Sequence, residues 1–313
     1  MDIRQLRYFV AVASHENFSK AAQQLYIAQP ALSRSMRALE DELGVRLFER
    51  HIRGATLTPE GRHLLERAHF MLRSFDEIRA EIGQAQARPS GPIVVGMTPN
   101  FALMIGAELA LRIRQHYPGA QLRIVEAYSP SLRDQLRSGG VDIAILSGAE
   151  PATRDGIGFE PLFEDRLCLV GKAGDPLLAQ GELAPTALHR LPLILTGITS
   201  AGIRNELETL AARRRLELDV AVEVGSVGLA TQMIQRGMGY TIYIEAGVTH
   251  DRSLASAPVR GLWLRRSLGW PVNRPLSRLA AQVLPLTRAL LLEQVHSGAW
   301  PGARPIKGKR RER

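Results

Sequence analysis

The first 44 residues encode a helix, a short turn and a second helix with a polar outer face, and this pattern constrains the fold more than any other feature. Apolar residues recur at helical spacing in three successive stretches, the last of which stops at Gly44. The inward-facing positions are Ile3, Leu6, Val10, Ala13, Ala21, Ala22, Leu25, Leu32, Met36, Leu39 and Leu43. We therefore predict three helices that pack around one small core.

The third helix is predicted to present its polar side to a partner. Ser19 is a suitable N-cap for the second helix, and Pro30 opens the third because its fixed φ suits a first helical turn. Ser33, Arg34 and Arg37 must then point away from the core. Residues 18–39 contain three basic side chains and no acidic one, so the local charge is positive. This geometry fits the major groove of DNA.

The chemistry of the exposed positions agrees with DNA reading. Arg34 can donate two hydrogen bonds to guanine, Gln29 can bind the edge of adenine, and Ser33 can reach a base or a phosphate. Basic residues around a turn at Gly54 predict a wing that contacts phosphates or the minor groove. The predicted DNA-binding residues are Ser19, Gln29, Pro30, Ser33, Arg34, Arg37, Arg50 and Arg53. The alternative is a three-helix domain that makes protein contacts.

A long helix is predicted from Thr58, its cap, and Pro59 to about Ala87. Its apolar residues alternate steps of four and three, which favours coiled-coil pairing. They are Leu64, Ala68, Met71, Phe75, Ile78, Ile82 and Ala85. We predict a homodimer through this helix, and two reading heads require an inverted-repeat operator. Packing of the stripe on its own chain is the alternative.

From Ile93 onward, short β-branched runs alternate with helical stretches, which is typical of parallel strands joined by crossover helices. The predicted strands are 93–97, 122–127, 142–146, 166–171, 192–196, 220–225 and 240–245, and the predicted helices are 101–116, 132–138, 203–215, 228–236 and 277–296. This half of the chain is therefore expected to form an α/β module.

A ligand site is predicted beyond the carboxyl ends of these strands, where helix N-termini present free N–H groups. The polar residues in the strand-to-helix loops are Thr98, Asn100, Ser129, Thr196, Thr199, Ser200 and Ser226. Hydroxyl and amide groups suit a small carboxylate. The loop at 196–204 contains no aromatic residue, which argues against a large aromatic effector.

Other classes of protein receive little support. The chain has no Gly-x-Gly-x-x-Gly motif after a strand, no phosphate-binding Gly-Lys-Ser/Thr loop and no His-Glu-x-x-His, and Lys172 is the only lysine in the module that could form a Schiff base. We therefore expect neither an enzyme nor a cofactor or metal. The single cysteine, Cys168, is predicted to be a buried core residue.

The ends of the chain bear on location. No export signal and no membrane-length apolar stretch is visible, so we expect a cytoplasmic protein without a membrane partner rather than an exported solute-binding protein. The net charge of +9 is concentrated at residues 304–313, which carry six basic side chains and one acidic one. We predict that the tail 301–313 is disordered, so its charge is weak evidence for DNA binding by the body.

Three segments together resemble the LysR-type transcription regulators: Phe18-Ser-Lys-Ala-Ala-Gln-Gln-Leu-Tyr-Ile-Ala-Gln-Pro-Ala-Leu-Ser-Arg, Leu39-Glu-Asp-Glu-Leu-Gly-Val-Arg-Leu-Phe-Glu-Arg and Leu57-Thr-Pro-Glu-Gly. The resemblance runs from about Met1 to Gly61. It implies a winged helix-turn-helix with its motif at 18–37, in which Gln29, Pro30, Ser33 and Arg34 meet DNA and Arg53 lies in the wing.

The second half is similar, more loosely, to the effector domain of that family, which has the two-lobed, type 2 periplasmic-binding-protein fold. The segments that carry this resemblance are Ile93-Val-Val-Gly-Met-Thr-Pro-Asn, Tyr117-Pro, Leu136-Arg-Ser-Gly-Gly-Val-Asp-Ile-Ala-Ile-Leu and Gly237-Met-Gly-Tyr-Thr-Ile. The implied organisation is a DNA-binding domain at 1–58, a linker helix at 59–88 and an effector domain at 92–300. Lobe I would hold about 92–160 and 269–300, and lobe II about 161–268.

The resemblance also implies the partners. These are double-stranded promoter DNA, a small-molecule co-inducer of unknown identity, further copies of the chain in a dimer or tetramer, and RNA polymerase.

Overall fold

The structure is a computed structural model, and it describes residues 1–51, 54–83, 89–148, 156–196, 201–249 and 251–306. The chain divides into two compact units. Unit 1 comprises Met1–Pro92 and Arg137–Gly140, and unit 2 comprises Ile93–Leu136 and Val141–Arg313. In the part of the chain that is described, no helix combines the length and apolar character needed to cross a membrane.

Unit 1 contains the three predicted helices, a hairpin and a long helix. The elements are α1 (Ile3–His15), α2 (Phe18–Gln24), α3 (Gln29–Leu43), β1 (Phe48–His51), β2 (Gly54–Leu57) and α4 (Pro59–Gly83). Helix α2 is capped by Asn17, whose side chain accepts from the backbone N–H groups of Ser19 and Lys20. The prediction that Ser19 is the cap is therefore wrong, because the cap and the start of the helix both lie two residues earlier.

The core of unit 1 joins α3 to the hairpin. Leu6, Leu32, Met36 and Leu39 are buried in it, as the helical spacing predicts, and so is Phe9, which was not predicted. Leu43, which was predicted to face inward, is 38% exposed. The ring of Phe48, from the hairpin, lies 5.3 Å from that of Phe9 in α1 and 5.6 Å from that of Phe18 in α2, between centroids. The predicted wing thus packs directly on the helix-turn-helix.

A buried carboxylate fixes the segment between α3 and the hairpin. Oε1 of Glu40 accepts from the backbone N–H of Leu47 at 2.8 Å and from that of Phe48 at 3.2 Å. Thr58 then caps α4 as predicted, since its hydroxyl accepts from the N–H of Gly61 at 2.9 Å. These bonds set the position of the wing relative to α3.

The apolar stripe of α4 divides into two parts. Ala68 is buried in the core of unit 1 and Leu64 packs against it, so this part packs on its own chain. Met71 and Phe75 are instead 43% and 38% exposed. The side chains of Ile78 and Ile82, together with Ala85, lie outside the described residues.

Unit 2 alternates strands and helices. Its elements are β3 (Gly91–Met97), α5 (Pro99–His116), β4 (Ala120–Glu126), α6 (Ser129–Ser138), β5 (Ile143–Ser147), β6 (Ile157–Lys172), β7 (Pro192–Thr196), α7 (Gly202–Arg214), β8 (Asp219–Val224), α8 (Val227–Gln235), β9 (Thr241–Ile244), β10 (Leu254–Pro271), α9 (Arg278–His296) and β11 (Ala303–Pro305). All seven predicted strands and all five predicted helices are present.

Two long antiparallel strands organise the sheets. The larger sheet has the order β11-β6-β10-β5-β3-β4, with β9 also paired to β6, and β7 and β8 form a separate pair. β3 pairs with β5 and β7 with β8 in parallel, as predicted. The prediction of parallel strands is wrong for β6 and β9, which pair antiparallel. The prediction missed β10 and the first half of β6. Pro258 and Gly261 interrupt the β10 pattern, and a register shift between Pro258 and Trp263 accommodates the interruption.

The start of the C-terminal tail is ordered. Ala303–Pro305 pair with residues 163–165 of β6 as an added edge strand. The guanidinium of Arg304 lies 2.8 Å from the carboxylate of Glu164 and 3.6 Å from the centroid of the Trp263 ring. The prediction of disorder is therefore wrong for residues 301–306, because the charge of Arg304 is paired. Residues 307–313 lie outside the described residues.

Removal of the Glu40 carboxylate should destabilise unit 1 selectively. Glu40→Ala leaves two buried N–H groups without an acceptor, and we expect the free energy of unfolding to fall by about 2 kcal/mol. Because all three tryptophans belong to unit 2, their fluorescence reports that unit, while far-UV circular dichroism reports both. Urea unfolding followed by both signals should show an early transition in the dichroism alone.

The matched control is Asp41→Ala, since Asp41 is the exposed neighbour of Glu40. Equal loss of stability in the two variants would contradict a specific role for Glu40.

Candidate DNA-binding surface and ligand cleft

The outer face of α3 carries the predicted reading residues. Gln29, Pro30, Arg34 and Arg37 are exposed, and positions 30, 34 and 37 fall on one side of the helix. Neither arginine has a hydrogen bond or ion pair with the described residues. Both guanidinium groups can therefore bind a ligand outside the chain.

Ser33 does not belong to this face. Its side chain is 8% exposed, on the same side of α3 as Met36 and Glu40, which are also buried. Positions 33, 36 and 40 lie above one another on a helix, so the buried stripe is wider than the predicted one. The prediction that Ser33 points outward to a base is wrong.

The remaining predicted DNA contacts are only partly described. Ser19 is exposed in the first turn of α2, next to Lys20. The backbone of Arg50 lies in β1, at the tip of the wing, but its side chain lies outside the described part, as does all of Arg53. The roles of these two arginines therefore stay predictions.

Tyr26 is a feature that the sequence reasoning missed. It lies in the turn between α2 and α3, is 95% exposed and has a left-handed φ of 53°. A bulky residue rarely adopts this conformation, and an exposed aromatic ring gains nothing from the core. An aromatic residue in the turn of a helix-turn-helix was the signal that could have identified it.

Unit 2 contains a cleft with a cavity volume of about 50 Å³ at the predicted ends of the strands. The structure brings together four of the predicted effector residues there, Thr98, Asn100, Ser129 and Thr196. Ser226 lines an adjoining depression that shares Tyr128 and Tyr243 with the cleft, and its hydroxyl caps α8. Thr199 and Ser200 lie outside the described residues.

Aromatic rings line the cleft, although neither comes from the loop at 196–204 on which the argument against an aromatic effector rested. Tyr128 precedes α6 and Tyr243 lies in β9. The argument against an aromatic effector, which rested on the loop at 196–204, therefore fails. Burial raises the pKa of Tyr243 to about 12 and also raises that of Tyr128, so both phenols stay neutral at physiological pH.

The cation in the cleft wall is already paired. Nε of Arg204 contacts Glu208 at 2.5 Å and Nη1 contacts Glu223 at 2.9 Å. Two carboxylates thus compensate one guanidinium, and the hydrogen bonds to them raise the pKa of Arg204 against the opposing effect of burial. Arg204 does not supply an uncompensated positive charge for a ligand.

Cys168 is buried in the core of unit 2, as predicted. Burial, and after it the negative charge of Glu245, raises the pKa of its thiol to about 12. Among the described residues no group of histidine, cysteine, aspartate and glutamate side chains could hold a metal ion.

Comparison with known families gives two matches that together span most of the chain. The family described as "Bacterial regulatory helix-turn-helix protein, lysR family" matches residues 3–62, and "LysR substrate binding domain" matches residues 86–291. The chain is 30% identical over 315 residues to the HTH-type transcriptional regulator BbuR of Bordetella bronchiseptica, with 98% of this chain and 95% of BbuR covered. It is 31% identical to a probable hydrogen peroxide-inducible genes activator of Mycobacterium leprae, with 77% and 76% covered.

Solved structures show the same fold. A full-length OxyR variant from Pseudomonas aeruginosa is similar with a TM-score of 0.68, at 24% identity and 99% coverage of each chain. Full-length CbnR complexed with its target DNA is similar with a TM-score of 0.69, at 22% identity, with 92% of this chain and 99% of CbnR covered. The predicted fold class, a winged helix-turn-helix followed by a two-lobed α/β module, is confirmed.

The Cys168 thiol should be unreactive in the folded protein. Since the thiolate is the nucleophile and the pKa is about 12, we expect negligible alkylation by iodoacetamide at pH 7. The same chain unfolded in guanidinium should react at the rate of an ordinary cysteine, which provides the control. Equal rates in the folded and unfolded chain, measured by mass spectrometry, would contradict the burial of this group.

Proposed function

The chain belongs to the LysR family of transcription regulators, and from this premise we propose that it reads an inverted-repeat operator as a dimer and responds to a small carboxylate. That it is a DNA-binding regulator follows from the two family matches. The operator symmetry, the effector and the oligomer are proposals. The observation that carries the DNA-reading proposal is the unpaired, exposed polar face of α3.

Base reading is assigned to Gln29 and Arg34. Both lie in the first turns of α3, the end of a recognition helix that enters the major groove. Arg37, one turn further along, is suited to a phosphate. Tyr26, in the turn before the helix, is placed to contact the sugar-phosphate backbone, and its strained φ is then compensated only in the complex.

Dimer formation is supported by the second half of the α4 stripe. Met71 and Phe75 are separated by one helical turn and expose apolar area that unit 1 does not cover. Pairing of two α4 helices would bury these side chains in the coiled-coil manner that the repeat favours. Two reading heads related by a twofold axis require half-sites in inverted orientation, and two dimers would make a tetramer with four heads.

A carboxylate effector is supported by the polarity of the cleft in unit 2. Hydroxyl and amide groups from Thr98, Asn100 and Ser129 line it, and the helices α5 and α6 begin beside them. Tyr128 and Tyr243 provide flat apolar area for the remainder of the ligand. A thiol-based response to peroxide, which the names of some relatives suggest for those proteins, does not fit Cys168, because this thiol is protonated and buried.

The coupling between effector and DNA is proposed to be lobe closure. A ligand shifts an equilibrium only if it binds two arrangements with different affinity, and closure around the cleft supplies that difference. Closure would change how dimers pair, and with it the spacing of the reading heads, the bend of the DNA and the surface that meets RNA polymerase.

The reading assignment predicts a residue-specific loss of affinity. Arg34→Ala should weaken binding to the intergenic DNA upstream of the chain's own coding sequence about 10- to 100-fold, because a bidentate contact to guanine is lost. Ser33→Ala should leave binding unchanged, since Ser33 is buried. Gel-shift titration at fixed salt measures both.

The matched control for Arg34 is Arg214→Ala, which removes an exposed arginine from α7 in unit 2. If Arg34→Ala and Arg214→Ala bind the operator equally well, the assignment of α3 as the reading helix fails. If Arg34→Ala loses the same affinity for scrambled DNA as for the operator, Arg34 contacts phosphate and not a base.

The effector proposal predicts a response to carboxylates but not to their amides. Benzoate, succinate and pyruvate, each paired with its primary amide, are tested for a change in the footprint on the same DNA and in its bend angle. At least one carboxylate should alter both, while its amide should alter neither, since an amide lacks the charge. A footprint that no carboxylate changes would contradict the carboxylate proposal, and an altered footprint on DNA of unchanged bend would contradict the closure mechanism.

A further inference from the structure

A fully buried arginine lies behind the ligand cleft. Arg266, in β10, is 0% exposed, and its Nε donates to Oδ2 of Asp165. Its Nη1 donates to the hydroxyl of Ser147, which lines the cleft. The indole N–H of Trp300 donates to the second oxygen of Asp165 at 2.7 Å. The carboxylate is thus held on the side away from the cleft.

Stability alone gives no reason for this arrangement. Burying a guanidinium costs several kcal/mol, and buried ion pairs can commonly be replaced by apolar side chains without loss. Nη2 of Arg266 has no hydrogen-bond partner among the described residues, which adds to the cost. The pair forms a dipole whose positive end is the guanidinium that contacts Ser147. A group this costly, with its charge directed at a cleft wall, indicates a role in the cleft.

The hydrogen bonds that continue from Arg266 through Ser147 into the cleft wall form a row with one direction. The N–H of Phe101 lies 3.1 Å from Oδ1 of Asn100, so this atom is the amide oxygen and accepts. The hydroxyl of Thr98, 2.6 Å from the same oxygen, must therefore donate its proton to it. The contact of 3.2 Å between Thr98 and Ser147 is then donated by Ser147, whose own oxygen accepts from Arg266.

This direction leaves donors, and not acceptors, for a ligand. The oxygen of Asn100 is used twice, so the polar atom that remains available is the NH₂ group, which makes no hydrogen bond with the described residues. The hydroxyl oxygen of Ser129 accepts from the backbone N–H of Ser147 at 2.8 Å, which leaves its proton available. Both residues line the cleft.

We propose that Arg266 holds the polarity of the ligand cleft: the N–H of Phe101 fixes one end of the hydrogen-bonded row, and Arg266, by donating to Ser147 at the other end, keeps the hydroxyls of Ser147 and Thr98 and the amide of Asn100 oriented so that free donors face the ligand, which selects anionic oxygen acceptors. Arg266 is thus a positioning residue that discriminates a carboxylate from its amide without touching either. Arg204 cannot fill this role because two glutamates compensate its charge. The inference rests on the proposed function, in that a carboxylate is taken as the effector.

A thiol in place of the Thr98 hydroxyl reports the direction of the hydrogen bonds among Ser147, Thr98 and Asn100, and it needs no effector. In the full chain, Thr98→Cys puts the sulfur next to Ser147, where a thiolate accepts the donated proton. The comparison background is Asp165→Asn with Arg266→Met, which removes the charge pair, keeps an acceptor for Trp300 and avoids an unpaired carboxylate. Alkylation by iodoacetamide across pH gives the pKa of the new thiol, and Cys168 stays silent because it is buried.

With Arg266 present, the new thiol should have a pKa about one unit lower, so that alkylation at neutral pH is about tenfold faster than in the double variant. Arg266→Lys, which keeps a buried cation, serves as a second comparison, and tryptophan fluorescence checks that each variant folds. Equal thiol pKa values in folded wild-type and double-variant backgrounds would overturn the inference. A purely structural role for Arg266 would give that result.

Binding of benzoate and benzamide, and of succinate and succinamide, separates this inference from the proposed function. Thermal shift of the otherwise wild-type chain should favour the carboxylates, and the double variant should lose that preference. A preference that survives in the double variant overturns the role of Arg266 and leaves the carboxylate effector standing. If no carboxylate binds the wild-type chain, the carboxylate proposal fails, and the thiol pKa still decides whether Arg266 orders the cleft.

Discussion

Burial of one stripe of α3 is the constraint on which the rest of the reading surface depends. Leu32, Met36 and Leu39 are all 0% exposed, and each contributes about 1.5–3 kcal/mol by leaving water. A rotation of the helix by one residue toward its C-terminus would expose this stripe and bury Arg37 without a partner, which costs more than the packing returns. The apolar side of α3 therefore determines which side chains face outward.

In unit 2, too, the packing of the core determines which polar groups face the cleft. The long strands β6 and β10 carry the core, and the helices begin around the cleft at the ends of the shorter strands. Buried hydroxyls and an amide there would be costly without partners, and the Arg266–Asp165 pair supplies both a partner and a direction. The same ion pair helps to hold the C-terminal segment, since the indole N–H of Trp300 donates to Asp165.

Local patterns predicted most of the fold, because helix periodicity and β-branched runs are properties of neighbouring residues. Helix α3 and β7 have nearly the predicted bounds, and the two strands of the wing flank the turn near Gly54 that the sequence indicates. Two predictions failed because a neighbouring residue changed the outcome. Asn17, and not Ser19, caps α2. Ser33 is buried because the buried side of α3 includes polar residues as well as the apolar ones. The prediction of disorder was wrong for residues 301–306 because Glu164, the partner of Arg304, is remote in sequence.

The residues of the candidate sites also fall into those that the sequence predicts and those that it does not. The loop hydroxyls of the cleft were predictable from strand ends, since topology places those ends together. Arg266 was not, because its partners Asp165 and Ser147 lie 101 and 119 residues away and no local pattern marks a buried ion pair. Tyr243 and Tyr128 were missed because an aromatic wall was sought only in the loop at 196–204, and the walls of the cleft come from several elements.

The most direct test of the central claim, that the outward face of α3 reads base sequence, is selection of random double-stranded DNA by the full chain at physiological salt. The account predicts that the selected molecules share a motif, that the motif is an inverted repeat, and that the preferred bases in each half-site change when Gln29 and Arg34 are exchanged for other polar residues. A selected population without a common motif, or a motif that is the same whichever residues occupy positions 29 and 34, would contradict it.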